Sequence, residues 1–312
     1  MRTFFITMTA AAIFLPMKAQ ANIFESIWSQ ATATFSTIFN LKPNWAIYKD
    51  IAYGPHPDEK ADLYLLPGGN HPAVVFIHGG GWTGGDKSAY ANYYANKYGV
   101  NGFSVISINY RLAKAGDPST HWPAQLQDVQ LAMRWLRNFA PYWGIDPSRI
   151  CAFGDSAGGH LALFLGSLKT SRPGDRSTSY AGLSPAANCV VDMFGPSDLT
   201  DPQELTVLDG AQLFGGKTYA QAPHHYADAS PIRYVTTGAA PTYIIQGWWD
   251  AIVFPAQSIN MANRLLANGV PTQLNMFYGG HWFQYLTPTS EKSNIDDKAL
   301  YWMSRRMKPF GW

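Results

Sequence analysis

Ile150-Cys151-Ala152-Phe153-Gly154-Asp155-Ser156-Ala157-Gly158-Gly159-His160 reads as a short apolar strand, a turn of small residues, and the start of a helix that runs to about Leu168. Its centre, Gly154-Asp155-Ser156-Ala157-Gly158, is a G-x-S-x-G. On its own that pattern arises often by chance. Between a strand and a helix it gains a mechanical meaning. A serine on a tight, strained strand-to-helix turn stands exposed at the sheet edge, and bulky side chains at the flanking glycine positions would clash. The helix that begins there also aims backbone N–H groups toward developing negative charge.

Outward from this stretch, strands and helices alternate. Tyr48 to Tyr53 and Ala61 to Leu66, joined by a Gly-Pro-His-Pro turn, read as an antiparallel pair. Ala73 to His78 is a buried strand, followed by a helix from Ser88 to Tyr98 and a strand from Phe103 to Asn109. Leu126, Val129, Met133 and Leu136 mark one face of a helix. Cys189 to Phe194, Pro241 to Gln246 and Thr272 to Phe277 are further strands, with helices over Pro255 to Ala267 and Asp296 to Met307. The pattern predicts an α/β domain: a mostly parallel eight-stranded sheet with helices on both faces. Residues 198–235, rich in Pro, Gly, His and Tyr, read as an insertion between two strands of a single domain spanning 22–312.

A second glycine-rich turn, His78-Gly79-Gly80-Gly81-Trp82, directly follows the strand ending at Ile77. Three glycines let the backbone turn its amides inward, and with the amide of Ala157 they would form an oxyanion hole. A serine hydroxyl needs a base, and the base needs a carboxylate to orient it. His281, in Tyr278-Gly279-Gly280-His281 after the last strand, is the candidate base. His160 is expected to point away from the site or to pack under it, and His224 and His225 to lie on the surface or rim of the insertion. The candidate acid is Asp250, in Gln246-Gly247-Trp248-Trp249-Asp250. Asp198 competes with it, because it follows the strand ending at Phe194. The chain order Ser, Asp, His is the one used by the fold that carries a serine on such an elbow. Trp82, Trp248, Trp249 and Trp282, with Phe283, lie beside these residues and are expected to line a narrow substrate pocket, with core or surface packing as the alternative.

The runs His78 to Trp82, Tyr110-Arg111-Leu112, Pro123-Ala124-Gln125-Leu126-Gln127-Asp128-Val129 and Gly154 to His160 resemble the hormone-sensitive-lipase-related carboxylesterases of the α/β-hydrolase fold. The similarity is greatest to the bacterial branch that includes acetyl-xylan and feruloyl esterases, and it covers about residues 48–285. It implies a serine esterase in which Gly80, Gly81 and Ala157 hold the oxyanion and Ser156, His281 and Asp250 form the triad. It implies a small-molecule ester as substrate, and no metal or other cofactor. Two departures stand out. The acid segment reads Gly-Trp-Trp-Asp where the family has Gly-small-x-Asp, and the helix expected over Ile23–Phe39 is short for a lipase-type cap. The first leaves the shape of the acyl pocket open, and the second argues against long-chain lipids. The rival readings are an amidase, formamidase or peptidase on the same fold, and an inactive binding module.

Composition sets the remaining expectations. The 312 residues are 46% hydrophobic, 14% charged and 14% aromatic, enough for a sizeable core. Arg2, the apolar run Thr3 to Met17 and Ala19-Gln20-Ala21 read as a signal peptide, residues 1–21; the run is short for a membrane span. The expected location is therefore periplasmic or secreted, with no stable membrane insertion after cleavage. Losing Arg2 and Lys18 with the leader brings the 23 basic side chains level with the 21 acidic ones. A neutral protein offers no field to attract nucleic acid. Cys151 and Cys189 permit one disulfide, or two buried thiols on neighbouring strands.

Overall fold

A computed structural model describes residues 45–170, 179–281 and 289–307. The expected leader, the helix expected over Ile23–Phe39, and Trp282 and Phe283 lie outside these residues. The described chain forms one eight-stranded sheet: β1 (Ala46–Ala52), β2 (Lys60–Leu65), β3 (His71–Ile77), β4 (Ser104–Ile108), β5 (Ile145–Asp155), β6 (Cys189–Met193), β7 (Thr242–Gly247) and β8 (Thr272–Phe277). The spatial order is β1-β2-β4-β3-β5-β6-β7-β8. β2 runs antiparallel to both neighbours, and every other pair is parallel. This is the α/β-hydrolase architecture.

The helices are α1 (Ser88–Gly99), α2 (Ala124–Phe139), α3 (Ala157–Ser167), α4 (Leu205–Leu208), α5 (Pro223–Asp228), α6 (Pro255–Ala267) and α7 (Thr289–Met307). Side chains alternate along each central strand and so divide the core into two layers. Val75, Ile77 and Ala152 pack with Leu126 and Val129 of α2, Leu161 and Phe164 of α3, and Met261 and Leu265 of α6. Val74, Phe76 and Phe153 pack on the other face with Tyr94 and Tyr98 of α1 and Trp302 and Met303 of α7. α7 starts earlier than the sequence suggests, because the polar stretch from Thr289 shows no apolar period. β5 likewise starts at Ile145, five residues upstream of its apolar centre.

Cys151 and Cys189 face each other across β5 and β6 with Cα atoms 4.6 Å apart, and they are joined as a disulfide. The segment 198–235 holds α4, α5 and short 3₁₀ turns, and packs Leu199, Leu213, Phe214 and Tyr226 into the core layer that contains Leu161 and Phe164 of α3. Among the described residues no helix is long and apolar enough to cross a membrane. No group of three His, Cys, Asp or Glu side chains among them could hold a metal ion.

Two consecutive crossovers leave β3 in opposite directions: the chain passes from β3 to β4 on one side, and β5 then pairs with the other side of β3. A crevice opens where the winding reverses, at the C-terminal ends of the strands. The candidate site residues among the described ones fall at those ends.

Candidate active site

β5 delivers Ser156 at φ 49°, a conformation costly for a residue with a side chain. The surroundings hold it there. Its N–H donates to Met193 O at 2.8 Å, tying the elbow to the end of β6, and α3 begins at the next residue. Gly158 is required by close approach, since a Cβ there would run into the Ile77 carbonyl of β3. The turn can therefore sit tight against the neighbouring strand.

The loop after β3 is held from several sides. Gly80 has φ 113°, and a Cβ there would meet the Gly84 carbonyl, whose own N–H folds back to Gly80 O. Gly79 N–H donates to Asp155 Oδ1 at 2.8 Å, so the residue preceding the serine clamps the loop to the elbow. Tyr110 Oη donates to the His78 carbonyl at 2.9 Å and stacks on the His78 ring. Burial lowers the His78 pKa and so favours the neutral ring. Among the described residues, no acceptor bonds the N–H groups of Gly80, Gly81 or Ala157. Three amides thus remain available beside the serine.

His281 follows β8 and Asp250 follows β7. The Nδ1–H of His281 donates to Asp250 Oδ2 at 2.7 Å, and its Nε2 lies 3.1 Å from Ser156 Oγ. An ionised carboxylate only accepts, so the proton sits on Nδ1 and leaves Nε2 as acceptor for the serine hydroxyl. Phe194, itself at positive φ, rests its ring against the imidazole at 4.6 Å. Asp250 is buried and well bonded. Ile252 and Val253 N–H donate to Oδ1, each at 2.9 Å, and Gln246 Nε2 donates to Oδ2 at 3.2 Å. Gln246 is in turn fixed by Ser258 Oγ, which donates to its Oε1 at 2.8 Å.

Asp198 lies elsewhere. Its Oδ1 accepts from Thr200 N–H and Thr200 Oγ1, at 2.9 and 2.6 Å, which makes it a turn residue with no contact to His281. His160 packs beneath the elbow, fully buried. Its Nε2–H donates to Ala229 O of the insertion at 2.7 Å, and its Nδ1 accepts from Trp82 Nε1 at 3.3 Å. Burial pushes its pKa down to about 4. His224 and His225 are exposed on α5.

Of the two alternatives for Trp82, pocket lining or core packing, the structure shows core packing: the residue is 2% exposed, its ring set edge-on to His160. The physical reason is its indole N–H, which finds its acceptor inward at His160. Trp248 and Trp249 are 46% and 59% exposed at the rim, and the Trp249 ring lies 6.0 Å from that of Tyr278. Asp155, Gln246 and Glu204 were not singled out from the sequence. Asp155 and Gln246 do sit inside the two quoted motifs, and that proximity was the only available signal.

A family model, BD-FAE, matches residues 61–265. The chain is similar to Esterase LipQ of Mycobacterium tuberculosis, with 32% identity over 72% of this chain and 53% of the relative. It is also similar to Esterase LipC of the same organism, with 29% identity over 70% of this chain and 54% of the relative. It thus spans about half the length of these curated relatives. Among solved structures, a truncated carbohydrate esterase from gut microbiota superposes with a TM-score of 0.69 and 27% identity, over 83% of this chain and 96% of that one. A bifunctional GH43-CE protein of Bacteroides eggerthii gives a TM-score of 0.71 and 26% identity, over 84% of this chain and 38% of that one.

Proposed function

The chain belongs to the BD-FAE family, and from that premise we propose that it is an exported serine carboxylesterase working through a Ser156–His281–Asp250 triad and an acyl-enzyme. The observation that carries this reading is the continuous line of hydrogen bonds from Ser156 Oγ through His281 to Asp250, beside three amides with no acceptor among the described residues. His281 takes the serine proton as Oγ attacks the ester carbonyl. The amides of Gly80, Gly81 and Ala157 hold the resulting oxyanion. His281 then hands its proton to the departing alcohol. Water repeats the sequence on the acyl-enzyme, and Asp250 holds the imidazole in its tautomer throughout. No step calls for a metal or cofactor.

The substrate class is a small-acyl or aromatic ester. Supporting this are the aromatic rim of Trp248, Trp249 and Tyr278 beside the acid turn, and the carbohydrate esterases among the similar structures. Export is proposed from the leader-like residues 1–21, with the Cys151–Cys189 disulfide in keeping with an oxidising compartment.

A panel of aryl esters from acetyl to dodecanoyl, with matched amides and acetylated or feruloylated sugars, tests the proposal. Turnover should be fastest on short or aromatic acyl groups and negligible on the amides. Rates rising steadily to dodecanoyl would remove the narrow-site reading, and preferential amide turnover would reassign the reaction.

A further inference from the structure

The turn that carries Asp250 is gripped by two carboxylates rather than one. Of three successive amides, those of Ile252 and Val253 donate to Asp250 Oδ1, and that of Phe254 donates to Glu204 Oε2 at 3.2 Å. Glu204 comes from the insertion, immediately before α4, and is fully buried. Its other oxygen, Oε1, has no hydrogen-bond partner among the described residues. A buried carboxylate supported by a single amide is poorly compensated, whereas a carboxylic acid in the same place carries no charge to desolvate.

We infer that Glu204 is a positioning residue for the Asp250–His281 pair: protonated, it holds the acid turn through Phe254; ionised, it sets a second negative charge behind Asp250 that favours the imidazolium form of His281. The inference rests on the triad reading above. The groups that act on Glu204 are Asp250, from the turn packed against it, and Asp201, whose Oδ1 accepts the Glu204 N–H in its own segment. Burial raises the Glu204 pKa to about 8; the Phe254 N–H opposes the shift, and the charges of Asp250 and Asp201 add to it. Glu204 is therefore mostly protonated at neutral pH and gives up its proton to solvent on the alkaline side.

Linkage fixes the sign of the effect. Proton transfer from Ser156 makes His281 cationic, and a positive charge next to Asp250 eases the ionisation of Glu204. By reciprocity, an ionised Glu204 eases formation of the imidazolium. The rate should therefore rise on the alkaline side as Glu204 ionises.

The test is the pH dependence of kcat on a neutral short-chain ester for wild type, Glu204→Gln and Asp250→Asn, each profile normalised to its own value at neutral pH. The wild type should rise by on the order of fivefold as the pH passes through about 8, the size expected of one like-signed charge acting through a partly screened interior. Glu204→Gln keeps an acceptor for Phe254 N–H and cannot ionise, so its profile should be flat there. An alkaline rise that survives in Glu204→Gln, or a flat wild-type profile, overturns the inference. Should Glu204→Gln fail to fold, infrared titration with glutamate-specific carboxyl isotope labelling in a Glu59→Gln background reads the same group apart from Asp192 and Glu59, whose carboxyl pKa values burial also raises. Loss of a labelled buried carboxylic-acid band on the alkaline side is expected, and its absence at neutral pH overturns the inference. The Asp250→Asn arm separates the two levels of the account. If that variant turns over normally, the triad reading falls; if it collapses while Glu204→Gln keeps the wild-type profile, only the role of Glu204 falls.

Discussion

The two sides of the site are held in different ways. On the nucleophile side, Ser156 and the Gly79–Gly81 amides are fixed mainly by backbone: a positive φ at the serine, glycines where carbonyls approach, and one short clamp from Asp155 to Gly79. On the acid side, Asp250 itself is bonded locally, by the Ile252 and Val253 amides and by Gln246, but the turn that carries it is braced by side chains from farther along the chain. Gln246, Ser258 and Glu204 converge on one turn, and Gln257 reaches back to the insertion through Ser197 and Asp198. The first arrangement is local and intolerant of added atoms. The second is a network, tunable at each member, and its electrostatics depend on which carboxylates carry charge.

Substitutions that strike one side only sharpen this contrast. The largest effect is expected from Asp250→Asn, which keeps the shape of the acid side and removes its charge. Loss of the histidine tautomer should lower kcat by on the order of 10⁴, as the same change does in a serine-protease triad, with little change in melting. A folded Asp250→Asn protein with near-normal kcat would move the acid elsewhere.

His160 joins the two sides, taking Trp82 N–H from the oxyanion loop and donating to Ala229 of the insertion. Its pKa falls from the usual 6.5 to about 4 through burial. The unfolded chain therefore binds a proton that the native state refuses. Stability should be unaffected by this group above pH 6.5, fall as the pH drops from 6.5 toward 4, and level off below that. The loss amounts to about 3 kcal/mol across the window. Denaturant titrations at several pH values should show this component in the wild type and not in His160→Gln. An identical acid slope in both proteins would mean that the join is not made by a neutral imidazole.

Asp198→Asn should give the smallest effect. It loosens a turn in which Thr200 bonds to the carboxylate, so the melting temperature should drop by the equivalent of about 1 kcal/mol or less while kcat holds. A collapse of kcat here would contradict the separation of Asp198 from the site.

The same contrast explains what could be read from the sequence. Ser156, the Gly79–Gly81 turn, His281 and Asp250 each follow a strand end directly, and glycine spacing records the local geometry that each requires. The central strands are likewise written in apolar runs that alternate between two faces of the sheet. Glu204 left no such trace, because its role depends on a contact with Phe254 fifty residues away that no periodicity encodes. The core placement of Trp82 is hard to read from sequence for a related reason. Position beside a motif does not say which way an indole turns, and the acceptor that draws it inward, His160, lies on another element.

The central claim is that Ser156 is the nucleophile of an esterase, and a covalent probe tests it most directly. A serine-directed organophosphate, followed by peptide mapping in a mass spectrometer, should leave one adduct per chain, on Ser156, with ester turnover lost in proportion to labelling. A folded Ser156→Ala protein should take up no label and hydrolyse no ester. An adduct on any other residue, or appreciable turnover by that variant, would contradict the account.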